Sequence, residues 1–339
     1  MTDAAPGPVP DARMLDQFGR RIEYLRISVT DKCNLRCVYC MPLHGLPWLK
    51  RAELLSYEEI AEIVRVMAGM GLRRVRITGG EPLVRRDVPS LIGMLAAVPG
   101  IRDIALSTNA VLLGDQADAL REAGVDRVNV SLDSLRPDRV DAIARRPGSY
   151  QQIMDGLAAA ERVGFAPIKI NVVVMRGRND DELEDFARLT LERPWHVRFI
   201  EVMPVGENLD VSAREYVPAP EMLRRVRAIG ELRPVDGPPG NGPATYFRFP
   251  AAPGTVGVIT PMSHNYCDRC NRMRLTADGQ LRPCLFGEIQ TNLRDPLRNR
   301  EPLRPLIEHT LRIKPDRHNL VQGSAVGSGG LLALSQVGG

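Results

Sequence analysis

A chain of 339 residues, 44% hydrophobic and 25% charged, is long enough for one large domain and a smaller one, each with its own core. Its net charge of +4 is too small to argue by itself for a nucleic-acid surface, and no apolar run approaches the length of a membrane span. Residues 1–15 are rich in Pro and Ala without a signal-type apolar core, which predicts a short disordered leader on a cytoplasmic protein.

Six apolar, β-branched runs follow, at Tyr24–Thr30, Arg73–Gly79, Asp103–Asn109, Arg127–Asp133, Ile168–Met175 and His196–Met203. Between them lie segments with helical spacing: Ser56–Gly71, Val88–Val98, Asp115–Ala123, Tyr150–Val163 and Asp180–Arg193. Ser56 with Glu59 forms a capping box, and Gly71 is placed to stop that helix. Strands alternating with helices predict βαβ units and a parallel sheet. Six units make an incomplete (β/α) barrel, whose chemistry belongs at the C-terminal ends of the strands. Polar residues recur there: Gly79-Gly80-Glu81 after strand two, Ser107-Thr108-Asn109 after strand three, and Ser131 and Asp133 after strand four. From about Arg214 the rhythm breaks, and the Pro- and Gly-rich stretch Arg233–Pro253 reads as loop. The end, Gly323–Gly339, reads as a flexible tail.

The six cysteines fall as two triplets, Cys33, Cys37 and Cys40, then Cys267, Cys270 and Cys284, with none left for a disulfide. In a chain without a secretion signal such triplets read as metal sites. Three soft thiolates can ligate three corners of a four-iron cluster and leave one iron open for chemistry. Structural zinc is the alternative at each, and it usually wants four protein ligands; at the second triplet His264 could complete a Cys3His set. Arg272 and Arg274, two apart beside Cys270, point to one face if that segment is extended.

The C-x3-C-x2-C loop with Tyr39 inside it resembles the signature of radical S-adenosylmethionine enzymes. Together with Asp16–Arg20, Tyr24–Cys33, Arg76–Leu83, Asn129–Asp133, Phe199–Pro204, the second triplet with Asn271–Arg274, Lys314–His318 and a terminal Gly-Gly, the chain resembles the GTP 3′,8-cyclases of molybdenum cofactor biosynthesis over nearly its whole length. The resemblance implies an incomplete (β/α)6 radical SAM barrel over residues 16–213, an auxiliary-cluster domain over 214–322, and a tail over 323–339. It implies two [4Fe-4S] clusters, on Cys33, Cys37 and Cys40 and on Cys267, Cys270 and Cys284. S-adenosylmethionine would be cleaved to a 5′-deoxyadenosyl radical that takes the C3′ hydrogen of GTP, giving 3′,8-cyclo-7,8-dihydro-GTP. Carried over residue by residue, Tyr39, Gly80, Glu81, Ser131 and Met203 line the S-adenosylmethionine site. Arg26, Arg76, Thr108, Lys169, Arg272, Met273 and Arg274 contact GTP, with Arg74 and Arg198 as weaker candidates. Gly338 and Gly339 enter the active site with Arg272 and Arg274. Leu334 stands where the family usually has Met. Also implied are a homodimer, an external reductant and a downstream cyclic pyranopterin monophosphate synthase, with no nucleic-acid or membrane partner. Two other expectations stay open: a radical enzyme that modifies a peptide, and a metal-stapled binding module for RNA. The second lacks the aromatic residues interleaved with basic ones that stacking on bases requires, since aromatics make up only 5% of the chain.

Overall fold

The computed structural model describes residues 14–204, 209–240, 242–318 and 333–338. Six strands, β1 (Tyr24–Ser28), β2 (Arg74–Thr78), β3 (Asp103–Thr108), β4 (Arg127–Ser131), β5 (Ile168–Val174) and β6 (His196–Glu201), pair in chain order and all in parallel. The connections carry helices α1 (Tyr57–Gly69), α2 (Val88–Ala96), α3 (Leu113–Ala123), α4 (Pro137–Ala144), α5 (Ser149–Arg162) and α6 (Leu183–Glu192). The predicted cap of α1 is present: Glu59 N–H donates to Ser56 Oγ at 3.2 Å and Ser56 N–H to Glu59 Oε2 at 2.7 Å. Gly71 ends that helix in the left-handed region, φ 116°. Helix α4 was not legible from the sequence, because eight residues with three buried side chains carry little periodicity. Its C-terminal carbonyls hold the first cysteine loop: Arg36 N–H donates to Ala144 O at 2.9 Å and Val38 N–H to Ile143 O at 3.0 Å.

The strands are apolar on one face and polar on the other. Leu25 and Ile27, Val75 and Ile77, and Val128 and Val130 are buried in one core with the inner faces of α1, α2, α3 and α5. The residues between them, Arg26, Arg76, Asn129 and Ser131, face the opposite way. Parallel sheets are usually covered by helices on both faces and read apolar throughout. Here the second face lines an interior, so alternation returns.

The C-terminal part extends this sheet at both ends. Beyond β6 come β9 (Thr255–Ile259), β8 (Thr245–Arg248) and β7 (Arg233–Val235); beyond β1 come β10 (Arg272–Leu275), β11 (Gln280–Arg282) and β12 (Thr291–Asn292). Strands β9 and β10 are parallel to their neighbours, the outer ones antiparallel. The twelve-stranded sheet stays open, with β7 and β12 at its ends. Two strands therefore lie inside the stretch predicted to be loop; Tyr246 and Phe247 are buried there despite the flanking Gly and Pro. The remaining helices are α7 (Leu209–Arg214), α8 (Ala219–Arg227), α9 (Arg294–Arg298), α10 (Arg304–Arg312) and α11 (Leu334–Val337). Helix α11 departs from the expected flexible tail: Ser335 and Val337 are buried. Met14, inside the predicted leader, is buried too. Among the described residues no helix is long and apolar enough to cross a membrane.

Candidate active site

The register sets the interior chemistry. Arg274 on β10, Arg26 on β1 and Arg76 on β2 are direct partners across three parallel strands, and the same row continues through Ala105 to Arg127. The next row places Ser107, Asn129, Lys169 and His196 side by side, and the one above it Ser131, Asn171 and Arg198. The inner face of the sheet is thus a ladder of cations. Arg127 pairs with Asp103. By contrast, the Nε atoms of Arg76, Arg198 and Arg272 are buried without a partner. Burial, and then the neighbouring positive charges, bring Arg76 down to about 10; Arg274 falls to about 10 through burial and then through the charge of Arg272. Lys169 is driven to about 6 by burial first and then by Arg198, Arg127 and Arg76; its Nζ donates to Pro239 O at 2.6 Å.

At the C-terminal end of β1 the cysteine loop is clasped by the turn after β2. Gly80 N–H donates to Thr30 O at 2.7 Å and Glu81 N–H to Lys32 O at 2.8 Å. A Cβ on Gly80 would stand 2.3 Å from Lys32 O, so only glycine permits this approach. Glu81 is buried and accepts from Thr108 Oγ1 and Asn109 N–H, both at 2.7 Å, and from Leu83 N–H at 3.1 Å. Burial outweighs these donors and pushes Glu81 up to about 7. Tyr39 OH donates to Asp133 Oδ2 at 2.9 Å, and burial raises Asp133 to about 6.

The three thiols of this loop sit where they cannot ionise unaided. Cys33 is pushed up to about 11 by burial and by Glu81, Cys40 to about 12 by burial and by Cys33, and Cys37 rises through burial and Asp133. Buried soft ligands in an acidic surrounding call for a compensating cation of the kind a cluster's irons provide, so the donor set fits an iron–sulfur cluster. Among the described residues, no group of three or more His, Cys, Asp or Glu closes around a single metal ion. The thiols instead line one cavity together with Gly80, Glu81 and Thr108.

A second cavity is lined by Arg26, Arg76, Arg198, Arg272 and Arg274, and among the described residues lining it Asp133 is the only acid. The two cavities share Tyr39, Ser107, Ser131 and Leu334 as a common wall. Tyr266 and Leu285, neighbours of Cys267 and Cys284, also line the second, and the Arg272 guanidinium lies 5.1 Å over the Tyr266 ring. Burial raises the Cys270 thiol, but Lys314 and Arg272 outweigh it and bring it down to about 7. The second triplet therefore sits in cationic surroundings and the first in anionic ones. His264 is exposed.

The tail reaches this site. Arg274 Nη1 donates to Gly338 O at 2.5 Å and to Val337 O at 3.2 Å. Gly338 has φ 69°, and a Cβ there would meet Thr78 Cγ2 at 2.8 Å. Gly339 lies outside the described residues. The predicted residues Cys33, Cys37, Cys40, Tyr39, Gly80, Glu81, Ser131 and Thr108 all border the first cavity, and Arg26, Arg76, Arg272 and Arg274 the second. Four expected residues lie elsewhere, among them Thr108, which was expected at GTP but borders the first cavity. Met203 borders the second cavity, not the cysteine cavity. Lys169 borders neither and is buried on the inner face. Met273 pairs with Leu25, on the opposite face from Arg272 and Arg274, and is fully buried in the apolar core, because side chains alternate along a strand. The sequence reasoning missed Asn171, whose buried Oδ1 has no partner, and Arg198, given there as a weaker candidate, borders the second cavity; the two-residue polar alternation of β5 and β6 was the available signal.

A parallel (β/α) barrel with three cysteines after its first strand is the arrangement of a radical SAM protein, and the family model described as Radical SAM superfamily matches residues 27–190. The model described as Molybdenum Cofactor Synthesis C matches residues 195–320. A GTP 3′,8-cyclase of Moorella thermoacetica is 47% identical over 96% of this chain and 100% of its own length. One of Pelotomaculum thermopropionicum is 49% identical over 91% of this chain and 96% of its own. The chain belongs to the GTP 3′,8-cyclase family. Among solved structures, Streptococcus suis SuiB bound to S-adenosylmethionine superposes with a TM-score of 0.60 at 16% identity, covering 86% of this chain and 69% of that one, a likeness of fold.

Proposed function

We propose that the protein converts GTP to 3′,8-cyclo-7,8-dihydro-GTP as a radical SAM enzyme, the first step of molybdenum cofactor biosynthesis. The observation that carries this is the common wall: a thiol-lined cavity and an arginine-lined cavity share Tyr39, Ser107, Ser131 and Leu334. Cys33, Cys37 and Cys40 would hold one cluster, with Gly80, Glu81 and Ser131 around S-adenosylmethionine. Once bound, these groups supply a one-electron cleavage and a carbon radical able to take a hydrogen atom from ribose. The residues of the second cavity bind and orient the nucleotide. Arg26, Arg76, Arg272 and Arg274 match a triphosphate through planar forks of donors, and their mutual repulsion is relieved when it arrives. Tyr39, held by Asp133, and Leu334 line the shared side of both cavities. Arg274 also holds the tail through the Gly338 carbonyl, which supports a place for Gly338 in the substrate site.

Cys267, Cys270 and Cys284 would hold a second [4Fe-4S] cluster against the guanine. A homodimer, an external one-electron reductant, a downstream cyclic pyranopterin monophosphate synthase and a cytoplasmic location complete the reading. The test is anaerobic reconstitution followed by addition of S-adenosylmethionine, dithionite and GTP. About eight irons per chain, as two four-iron clusters require, with 5′-deoxyadenosine and a cyclised nucleotide, uphold it. Four irons with one zinc would move the second triplet to a structural role, and cleavage without change in GTP would reject the substrate. Arg272→Ala and Arg274→Ala are expected to raise the KM for GTP at least tenfold with both clusters retained; unchanged kinetics at full iron content would remove them from the substrate site.

A further inference from the structure

Residues 16–20 and 314–318 meet at the second cysteine triplet. Arg20 is ion-paired to Asp16 at 2.6 Å and donates to the carbonyls of Cys267 and Asp316 at 2.7 Å and of Pro315 at 2.6 Å. Gln17 Nε2 donates to Lys314 O at 3.1 Å. The main chain around Lys314 is thereby fixed from both sides. Lys314 is 2% exposed. The ammonium donates to Cys270 Sγ at 3.6 Å, to Arg272 O at 3.0 Å and to Pro283 O, the residue before Cys284. One buried cation thus spans the two segments that carry the triplet. A buried ammonium ordinarily needs a carboxylate to offset its desolvation; among the described residues none is in ion-pair reach of Lys314, and the anionic partner within reach is sulfur.

We propose that Lys314 is a positioning residue for the cluster on Cys267, Cys270 and Cys284, and that its charge makes this cluster easier to reduce. The proposal rests on that triplet holding a four-iron cluster. An added electron makes a cluster more negative, and a cation hydrogen-bonded to a ligand sulfur in a dry surrounding lowers the energy of that state. At the first triplet the charged neighbours of opposite sign are Glu81, which acts on Cys33, and Asp133, which acts on Cys37.

The test uses the full chain with Cys33, Cys37 and Cys40 replaced by Ala, so that only the second cluster is present, reconstituted anaerobically and titrated with dithionite and redox dyes under electron paramagnetic resonance. If this parent protein takes up no four-iron cluster, the second-cluster reading fails before Lys314 is addressed. With the cluster present, Lys314→Met should lower the reduced-to-oxidised ratio at a fixed potential at least tenfold, a shift of about 59 mV for one electron. Lys314→Arg, which keeps the charge, should stay close to the parent. An unchanged midpoint in Lys314→Met at full iron content overturns the proposal. Iron lost from the Met variant but kept in the Arg variant upholds it, whereas iron lost from both makes the role one of shape and overturns it.

Discussion

Lys169 shows how one residue can be tuned by its row. It sits between Asn129 and His196 on the inner face, with Arg198, Arg127 and Arg76 around it, and is held near 6. A lysine whose folded value lies below its unfolded one, 10.5, contributes stability that is present above 10.5 and lost as the pH falls toward about 6. Lys169→Met should therefore be more stable than the parent at pH 7, with the gap closing toward pH 10, as read by urea denaturation at several pH values. In the free protein at pH 7 the amine is mostly neutral, and a triphosphate within reach would charge it. Calorimetry of GTP binding in two buffers of different ionisation enthalpy should show more proton uptake by the parent than by Lys169→Met. Equal proton uptake in both would place Lys169 beyond the influence of the phosphates.

At the scale of elements, the turn after β2 and the tail depend on glycine for different reasons. Gly80 is required because main chain crosses main chain: its missing Cβ would collide with the Lys32 and Asp31 carbonyls at 2.3 and 2.6 Å. Backbone cannot yield as a side chain can, so Gly80→Ala should destabilise the fold by about 1–3 kcal/mol, measured by urea denaturation, and weaken S-adenosylmethionine binding. A variant of full stability would show that the two turns separate without cost. Gly338 combines a left-handed backbone with the close approach to Thr78. Gly338→Ala is expected to cut cyclisation at least tenfold with iron content unchanged, because Arg274 loses its nearest carbonyl partner. Full activity of that variant would detach the tail from the substrate site.

For the whole molecule, the decisive feature is that the C-terminal part is built onto both edges of the barrel sheet. β10 covers β1 and β9 covers β6. A chain ending at residue 213 keeps the six strands but leaves both edges as rows of unpaired N–H and C=O groups, templates for association with other chains. It should aggregate on size-exclusion chromatography, while the full chain does not; a monodisperse, folded fragment would show that the barrel stands alone. The same continuity brings Arg272 and Arg274 beside Arg26, although some 250 residues separate them in the chain.

The sequence by itself determined the strand order of the barrel and all its helices but α4, the capped start of α1, both cysteine triplets and the arginines beside the second. Each of these is a local signal: spacing of apolar residues, a cap, or soft ligands a few residues apart. Only the tertiary structure decided that Met273 faces the core, that Met203 and Thr108 border the cavities opposite to those expected, that β7 and β8 form within a Pro- and Gly-rich stretch, and that the tail closes on Arg274. It alone brought Lys314 to Cys270. Side chains two apart share a face by local geometry, but which face meets a cavity, and what distant segment lines its other side, is set by strand pairing between residues far apart in the chain.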